Sequence, residues 1–99
     1  MEKLKLNFFG IELNHTNCEL ILKKIGILPN LRDFYFNLGF NSTLSEEGIK
    51  CVGKHLSTQS NLEKLDLNLG YTEAKEEAYI FVVRQIAKLP KLENFILDL

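Results

Sequence analysis

Tryptophan is absent from this sequence, and cysteine and proline each occur only twice. Neither charge dominates, because 12 Lys and Arg residues stand against 13 Asp and Glu, for a net charge of −1. A dedicated binder of nucleic acid or of anionic membranes would show a basic excess, so both classes are disfavoured. Apolar runs are also short, and the longest, around Tyr79–Val83, falls far below the length needed to span a bilayer.

Motifs that carry chemistry are lacking as well. The sequence contains no CxxC, HExxH, GxSxG or P-loop pattern. His15 is predicted to lie in the loop before the first helix and His55 on a solvent-facing helical register, so nothing in the pattern brings them together. Cys18 and Cys51 are interpreted as small core residues and free thiols. With no apolar signal segment after the first residue, we expect a cytoplasmic, reducing compartment. We expect no enzyme, no cofactor and no metal.

Leucine and asparagine are abundant instead, with 18 and 9 copies among 99 residues. One pattern opens at Met1, Leu31, Leu62 and Leu92, so the openings are spaced by 30, 31 and 30 residues. The chain therefore divides into units 1–30, 31–61 and 62–91, followed by a fourth opening at 92–99. Its 45% content of hydrophobic residues is enough for one folded domain.

Each opening alternates apolar and polar residues, as a half-buried strand does. The apolar members are Leu4/Leu6/Phe8, Phe34/Phe36/Leu38, Leu65/Leu67/Leu69 and Phe95/Leu97/Leu99. The remainder of each unit has apolar residues at helical offsets of three and four, namely Cys18/Ile21/Ile25, Ile49/Val52/Leu56 and Tyr79/Val82/Ile86. Thr16 with Glu19, Ser45 and Thr72 are predicted to start the helices. One-residue differences in unit length are expected in the loops, near 41–44 and 57–60.

These residues resemble leucine-rich repeats of the ribonuclease-inhibitor type. The variant L-x-x-L-x-L-N-L-G-x-N is complete in Leu31–Asn41, and Glu47-Gly48-Ile49 matches the start of its helix. The resemblance implies an α/β fold, a right-handed β-α solenoid with parallel strands on the concave face and helices on the convex face. It also implies a scaffold for protein–protein contact. The first unit departs from the pattern at Phe9-Gly10, where the others have Gly-aromatic, so its loop is expected to differ in path.

Outward strand residues should form rows about 4.8 Å apart on the concave face. The first row, Lys3/Asp33/Lys64/Asn94, is interpreted mainly as self-neutralising. The second row, Lys5/Tyr35/Asp66/Ile96, surrounds two large apolar groups with charge, as protein interfaces do, although strand propensity alone also explains such residues. The third row, Asn7/Asn37/Asn68/Asp98, is interpreted chiefly as a structural ladder of stacked amides. Phe40 and Tyr71 either cap the core or make contacts at the rim, and the core is favoured. The predicted partner-binding residues are Lys5, Tyr35, Asp66, Ile96, Asn37, Asn68, Lys64 and Asp33.

The predicted solenoid has no polar terminal caps, which repeat proteins need. We therefore expect the chain to be part of a longer protein or of a multi-subunit complex. Two function hypotheses follow. The first is a non-catalytic scaffold that binds a protein on its concave face. The second is a structural subunit held through its open ends and convex helices.

Overall fold

The computed structural model describes residues 2–72 and 74–99, in which strands and helices alternate. The elements are β1 (Lys3–Asn7), α1 (His15–Ile25), β2 (Asp33–Asn37), α2 (Glu46–Leu56), β3 (Lys64–Asn68), α3 (Glu76–Ile86) and β4 (Asn94–Asp98). The predicted alternation of period-two and helical segments is confirmed. A β-α repeat explains why elements of the same kind have the same length, five residues for each strand and eleven for each helix.

The four strands form one parallel sheet in the order β1-β2-β3-β4. Residues at the same repeat position are paired, so that Leu6 lies beside Phe36, Phe36 beside Leu67, and Leu67 beside Leu97. The predicted α/β class with parallel strands is therefore confirmed. Because the pairing is not shifted, every repeat position becomes a row that crosses the sheet.

One hydrophobic core lies between the sheet and the helices. Phe34 and Phe36 of β2 and Leu67 of β3 are fully buried, while Leu4 of β1 and Leu97 of β4 are only partly buried. Burying one such side chain stabilises the fold by about 1.5–3 kcal/mol, so the two inner strands contribute most. The helices lie side by side, α1 against α2 and α2 against α3.

The loop after β2 is fixed by a buried amide. Asn41 is inaccessible to solvent, and its Nδ2 donates to the carbonyl oxygens of Leu38, at 2.7 Å, and Phe8, at 3.0 Å. Its Oδ1 accepts the N–H of Leu13 at 2.7 Å. Because the polar atoms of this buried amide are paired, the fold avoids the cost of about 1–3 kcal/mol that an unpaired buried polar group carries. In the third unit, the Thr72 hydroxyl donates to Leu69 at 2.8 Å in the corresponding place.

The extra residue of the second unit lies in one place only. Loop 38–45 has eight residues, whereas loops 8–14 and 69–75 have seven. The prediction near 41–44 is therefore confirmed, and the second one, near 57–60, is wrong, since loop 57–63 is as long as loops 26–32 and 87–93. The longer loop carries Leu44 into the core, where its side chain covers Gly48 so closely that a β-carbon at Gly48 would clash with it.

The start of α1 differs from the prediction. Asn14, not Thr16, is the N-cap, and its Oδ1 accepts the N–H of Asn17 at 2.9 Å. The buried Leu13 is tied to Asn41, so the chain turns into the helix immediately after it. His15 consequently belongs to the first turn of α1 rather than to the preceding loop.

The start of α3 also differs, whereas that of α2 agrees. The hydroxyl of Thr72 is used within the loop, and α3 starts after Lys75, whose side chain makes no capping bond. Ser45 caps α2 as predicted, with its Oγ accepting the N–H of Gly48 at 3.4 Å.

Candidate functional site

The second row of the strand face is assembled as the repeat predicts. Lys5 pairs with Tyr35, Tyr35 with Asp66, and Asp66 with Ile96. Ile96 is 54% exposed, Lys5 is exposed, and the side chains of Tyr35 and Asp66 are half-buried. The row therefore presents an aromatic and an aliphatic side chain beside groups of both charges, on a hydrogen-bonded sheet.

Charged side chains at the start of the strands neutralise one another. Lys3 and Asp33 of the first row approach to 3.6 Å between Nζ and Oδ2. One residue earlier in the repeat, Arg32 lies between Glu2, at 3.9 Å, and Glu63, at 3.7 Å. Such exposed pairs contribute at most about 1 kcal/mol each, so they set local order more than stability.

The asparagine row is structural, but not through a ladder of stacked amides. Asn7, Asn37 and Asn68 each turn Oδ1 toward the N–H two residues further on, at 3.0, 2.9 and 2.9 Å respectively. These Asx turns end β1, β2 and β3. In each turn, the asparagine side chain accepts a backbone hydrogen bond in place of a carbonyl oxygen. Asn37 is buried, and its Nδ2 donates to the Tyr35 hydroxyl at 3.3 Å, which orients that ring.

An aromatic ladder, made of Phe9, Phe40 and Tyr71, borders the asparagine row. The rings of Phe9 and Phe40 are 4.8 Å apart, and those of Phe40 and Tyr71 are 4.3 Å apart. These side chains are 50%, 48% and 76% exposed, respectively. The prediction that Phe40 and Tyr71 cap the core is therefore wrong, because their rings stack on each other at the surface.

The backbone explains why the ladder points outward. Gly10, Phe40 and Tyr71 share the left-handed conformation, with φ of 71°, 56° and 58°. The N–H of Gly10 donates to Gly39 and that of Phe40 donates to Gly70, at 2.9 and 2.8 Å. The first loop therefore follows the same path as the others at this point, contrary to the expectation drawn from Phe9-Gly10. The left-handed turn places the second and third rings beside the sheet instead of beneath it.

Two carboxylates, those of Asp66 and Asp98, lie near each other on the strand face of β3 and β4. Partial burial, followed by the nearby Asp98 carboxylate, raises the pKa of Asp66 above its ordinary value. A carboxylate in this situation gains from a cation placed against it, because that cation offsets both effects. Lys3 and Lys5 lie on β1, at the opposite edge of the same face.

The helix side holds a second group of side chains, with potential metal-ligand atoms, that the sequence pattern did not reveal. A groove between α1 and α2 brings together His15, Glu19 and Cys51, whose potential ligand atoms all lie within 4.8 Å of one another. The Cys51 sulfur also lies 3.3 Å from His55 Nδ1. In the sequence, His15 and Glu19 are four residues apart, and so are Cys51 and His55, which places each pair on one face of a helix. Only the packing of α1 on α2 shows that these two faces meet.

The two thiols differ in their surroundings. Both are free and buried. Burial, with a smaller contribution from Cys51, raises the pKa of Cys18 to about 12, as expected of an inert core residue. Burial and then the Glu19 carboxylate also raise the pKa of Cys51, so neither cysteine has the lowered pKa of a thiol nucleophile.

Comparison with protein-family models, curated proteins and solved structures finds no match to this chain. Within residues 2–72 and 74–99, none of the helices combines the length and the apolar character required to cross a membrane.

Proposed function

We propose that this chain is a leucine-rich-repeat solenoid whose concave strand face binds a protein partner without catalysis. The observation that carries the proposal is the in-register row of Lys5, Tyr35, Asp66 and Ile96, bordered by the exposed aromatic ladder. Free thiols at both cysteines favour a reducing, cytoplasmic location as part of the same proposal.

The composition of this surface supports a protein partner. Interfaces concentrate their binding energy in a few aromatic or large apolar residues surrounded by polar ones. Tyr35 is held in place by Asn37, so little rotamer freedom is lost when a partner covers it. The ladder adds three aromatic rings at the rim, more than an isolated exposed residue would supply.

The charges favour a partner with a particular arrangement. A cationic group would fit near Asp66 and Asp98, and an acidic group near Lys5, since Lys3 is paired with Asp33. Complementary charges speed encounter and fix orientation more than they raise affinity. Binding should therefore weaken with salt mainly through slower association.

The test compares proteins captured by immobilised variants from an extract of the source organism, quantified by mass spectrometry. The double variant Tyr35→Ala/Asp66→Ala should lose the bound partner while keeping the circular dichroism and unfolding midpoint of the wild type. Lys24→Ala/Lys88→Ala, at exposed positions in α1 and in the loop just after α3, is the matched control and should retain the partner. A partner kept by the strand-face variant and lost by the helix-side variant would overturn the proposal.

A second candidate function rests on the β4 end of the molecule. Ile80 and Val83 of α3 are 41% and 42% exposed, and together with Leu99, which is 65% exposed, they line an open apolar groove of about 560 Å³. A further β-α unit, from the same or another chain, would cover this groove and pair with the edge of β4. The protein would then be a structural subunit of a larger assembly.

The two functions are separable by one pair of variants. Val83→Asp should disrupt assembly in sedimentation experiments if the β4 end is an interface, and should leave capture by the strand face unchanged. If the strand face is the binding site, Tyr35→Ala/Asp66→Ala should abolish partner capture and leave assembly unchanged. An oligomeric state that neither variant alters would remove the structural-subunit candidate.

A further inference from the structure

Two adjacent helices each contribute to the groove between them a pair of side chains of the types that bind metal ions. His15 and Glu19 are one turn apart on α1, and Cys51 and His55 are one turn apart on α2. Residues four positions apart lie on the same helical face, and α1 packs against α2. The side chains at the centre of this arrangement are His15, Glu19 and Cys51.

The three donors are nearly at the separations of a zinc site. Their ligand atoms lie within 4.8 Å of one another, and His15 Nε2 is 3.3 Å from Glu19 Oε2. Tetrahedral zinc bonds of about 2.0–2.3 Å place neighbouring ligands roughly 3.3–3.7 Å apart. The separations therefore have to close by at most about 1 Å, which the side chains would have to supply by rotation on the packed helices.

Glu19 is oriented to offer one oxygen. Its Oε1 is held by Lys23 at 3.0 Å, while Oε2 faces His15. A carboxylate with one oxygen hydrogen-bonded and the other directed at the site is the usual form of a monodentate ligand supported from outside. The Lys23 contact can persist when Oε2 binds an ion.

His55 lies beside the sulfur and lines the same groove. Its Nδ1 is 3.3 Å from Cys51 Sγ and 3.0 Å from the Cys51 carbonyl oxygen. In the tautomer with a proton on Nδ1, the ring donates toward the sulfur and the carbonyl oxygen. A donor beside a ligating sulfur would fix the direction of that sulfur and tune its charge.

We propose that His15, Glu19 and Cys51 form a zinc-binding site between α1 and α2, with the fourth position open to water. Nitrogen, oxygen and sulfur donors in one tetrahedral set favour Zn²⁺ over Mg²⁺ or Ca²⁺, which take oxygen ligands. A thiolate and a carboxylate balance the charge of the ion. The bound ion would join two helices that otherwise meet through side-chain packing.

The first test is titration of the reduced protein with zinc chloride in a phosphine reductant, which does not compete as a thiol would. Calorimetry should give one site per chain, and zinc should raise the unfolding midpoint. Cobalt(II) chloride should produce a thiolate charge-transfer band and the intense visible bands of tetrahedral coordination. Binding that appears only at millimolar zinc, or with more than one ion per chain, would overturn the proposal.

Variants locate the site. Cys51→Ser and Glu19→Gln should each weaken zinc binding by more than about 100-fold, beyond the loss that follows removal of an outer-shell partner. The control Glu47→Gln removes another carboxylate that lines the same groove and should bind zinc as the wild type does. Cys18→Ala should keep the thiolate band, because Cys51 remains. Equal affinities of Glu19→Gln and Glu47→Gln would show that the ion binds elsewhere.

The zinc site and the strand face are tested independently. The strand-face variants leave all three proposed ligands in place, so loss of partner capture would not alter zinc binding. Loss of zinc binding in Cys51→Ser would likewise leave the strand face intact.

Discussion

Phe40 and Tyr71 adopt a backbone conformation that glycine adopts freely, and Gly10 holds the same position one unit earlier. A side chain in the left-handed region costs roughly 1–2 kcal/mol relative to glycine. Stacking with a neighbouring ring returns about 0.5–1.5 kcal/mol. The two aromatics thus contribute little to stability on balance, although they dominate the exposed rim.

Replacement of Tyr71 separates these effects. Tyr71→Gly removes both the strain and the stacking, so the free energy of unfolding should stay within about 1 kcal/mol of the wild type. Tyr71→Ala removes the stacking and keeps a β-carbon in the left-handed region, so it should be about 1 kcal/mol less stable than Tyr71→Gly. Urea unfolding measures both. An alanine variant as stable as the glycine variant would show that the turn is not strained.

α2 and α3 pack closely at Gly53, where α2 has no side chain. A β-carbon on Gly53 would lie 2.9 Å from the Val82 α-carbon and 3.3 Å from its Cγ2. Two helices can meet at this distance only because one of them contributes backbone alone. Gly53 is thus required by the packing of α2 on α3, even though glycine weakens an isolated helix.

Gly53→Ala sets these two tendencies against each other. Helix propensity alone predicts stabilisation by about 1 kcal/mol, whereas overpacking against backbone costs typically 1–3 kcal/mol. Because the contact is with a backbone atom that cannot rotate away, we expect net destabilisation, measured by thermal and urea unfolding. Lys54→Ala changes the neighbouring exposed residue and should stay within about 0.5 kcal/mol of the wild type. A more stable Gly53→Ala protein would contradict the close approach.

The molecule is held together by contacts between neighbouring units. Each strand pairs with the next and each helix packs on the next, while one hydrophobic cluster runs through all of them. The middle unit has neighbours on both sides, and its Phe34, Phe36 and Leu38 are fully buried. The inner units should therefore set the stability of the whole.

Leu67→Asp tests this dependence. It places a carboxylate at a fully buried position of β3, with an expected loss of more than about 4 kcal/mol, close to the total stability of a small domain. We expect an unfolded chain by circular dichroism. Lys64→Asp introduces the same charge on the exposed face of the same strand and should remain folded. A Leu67→Asp protein that keeps part of its helical signal and unfolds in a smaller transition would show that the remaining units fold without β3.

The sequence was sufficient for what repeats along the chain. Leu67 and Phe36 recur at one unit's distance in a period of two, and this fixed the strands, their register and the rows that they form. It was insufficient where the period-two pattern ends, because the direction of Phe40 depends on its left-handed turn. It also did not place Cys51 beside Glu19, because that contact depends on how one helix is rotated against its neighbour.

The unshifted pairing of the strands has a geometric consequence for any partner. Successive side chains in a row are separated by the strand spacing of about 4.8 Å, and one turn of an α-helix advances about 5.4 Å. A helix laid across β1 to β4 would drift out of phase by only about 1.8 Å over the three steps, so each of its turns would still meet one strand. An extended strand, whose same-face residues repeat every 6.4–6.8 Å or so, would lose phase within two steps. If the proposed partner binds this face, the spacing of its rows would favour a helix over an extended strand before any side chain is compared.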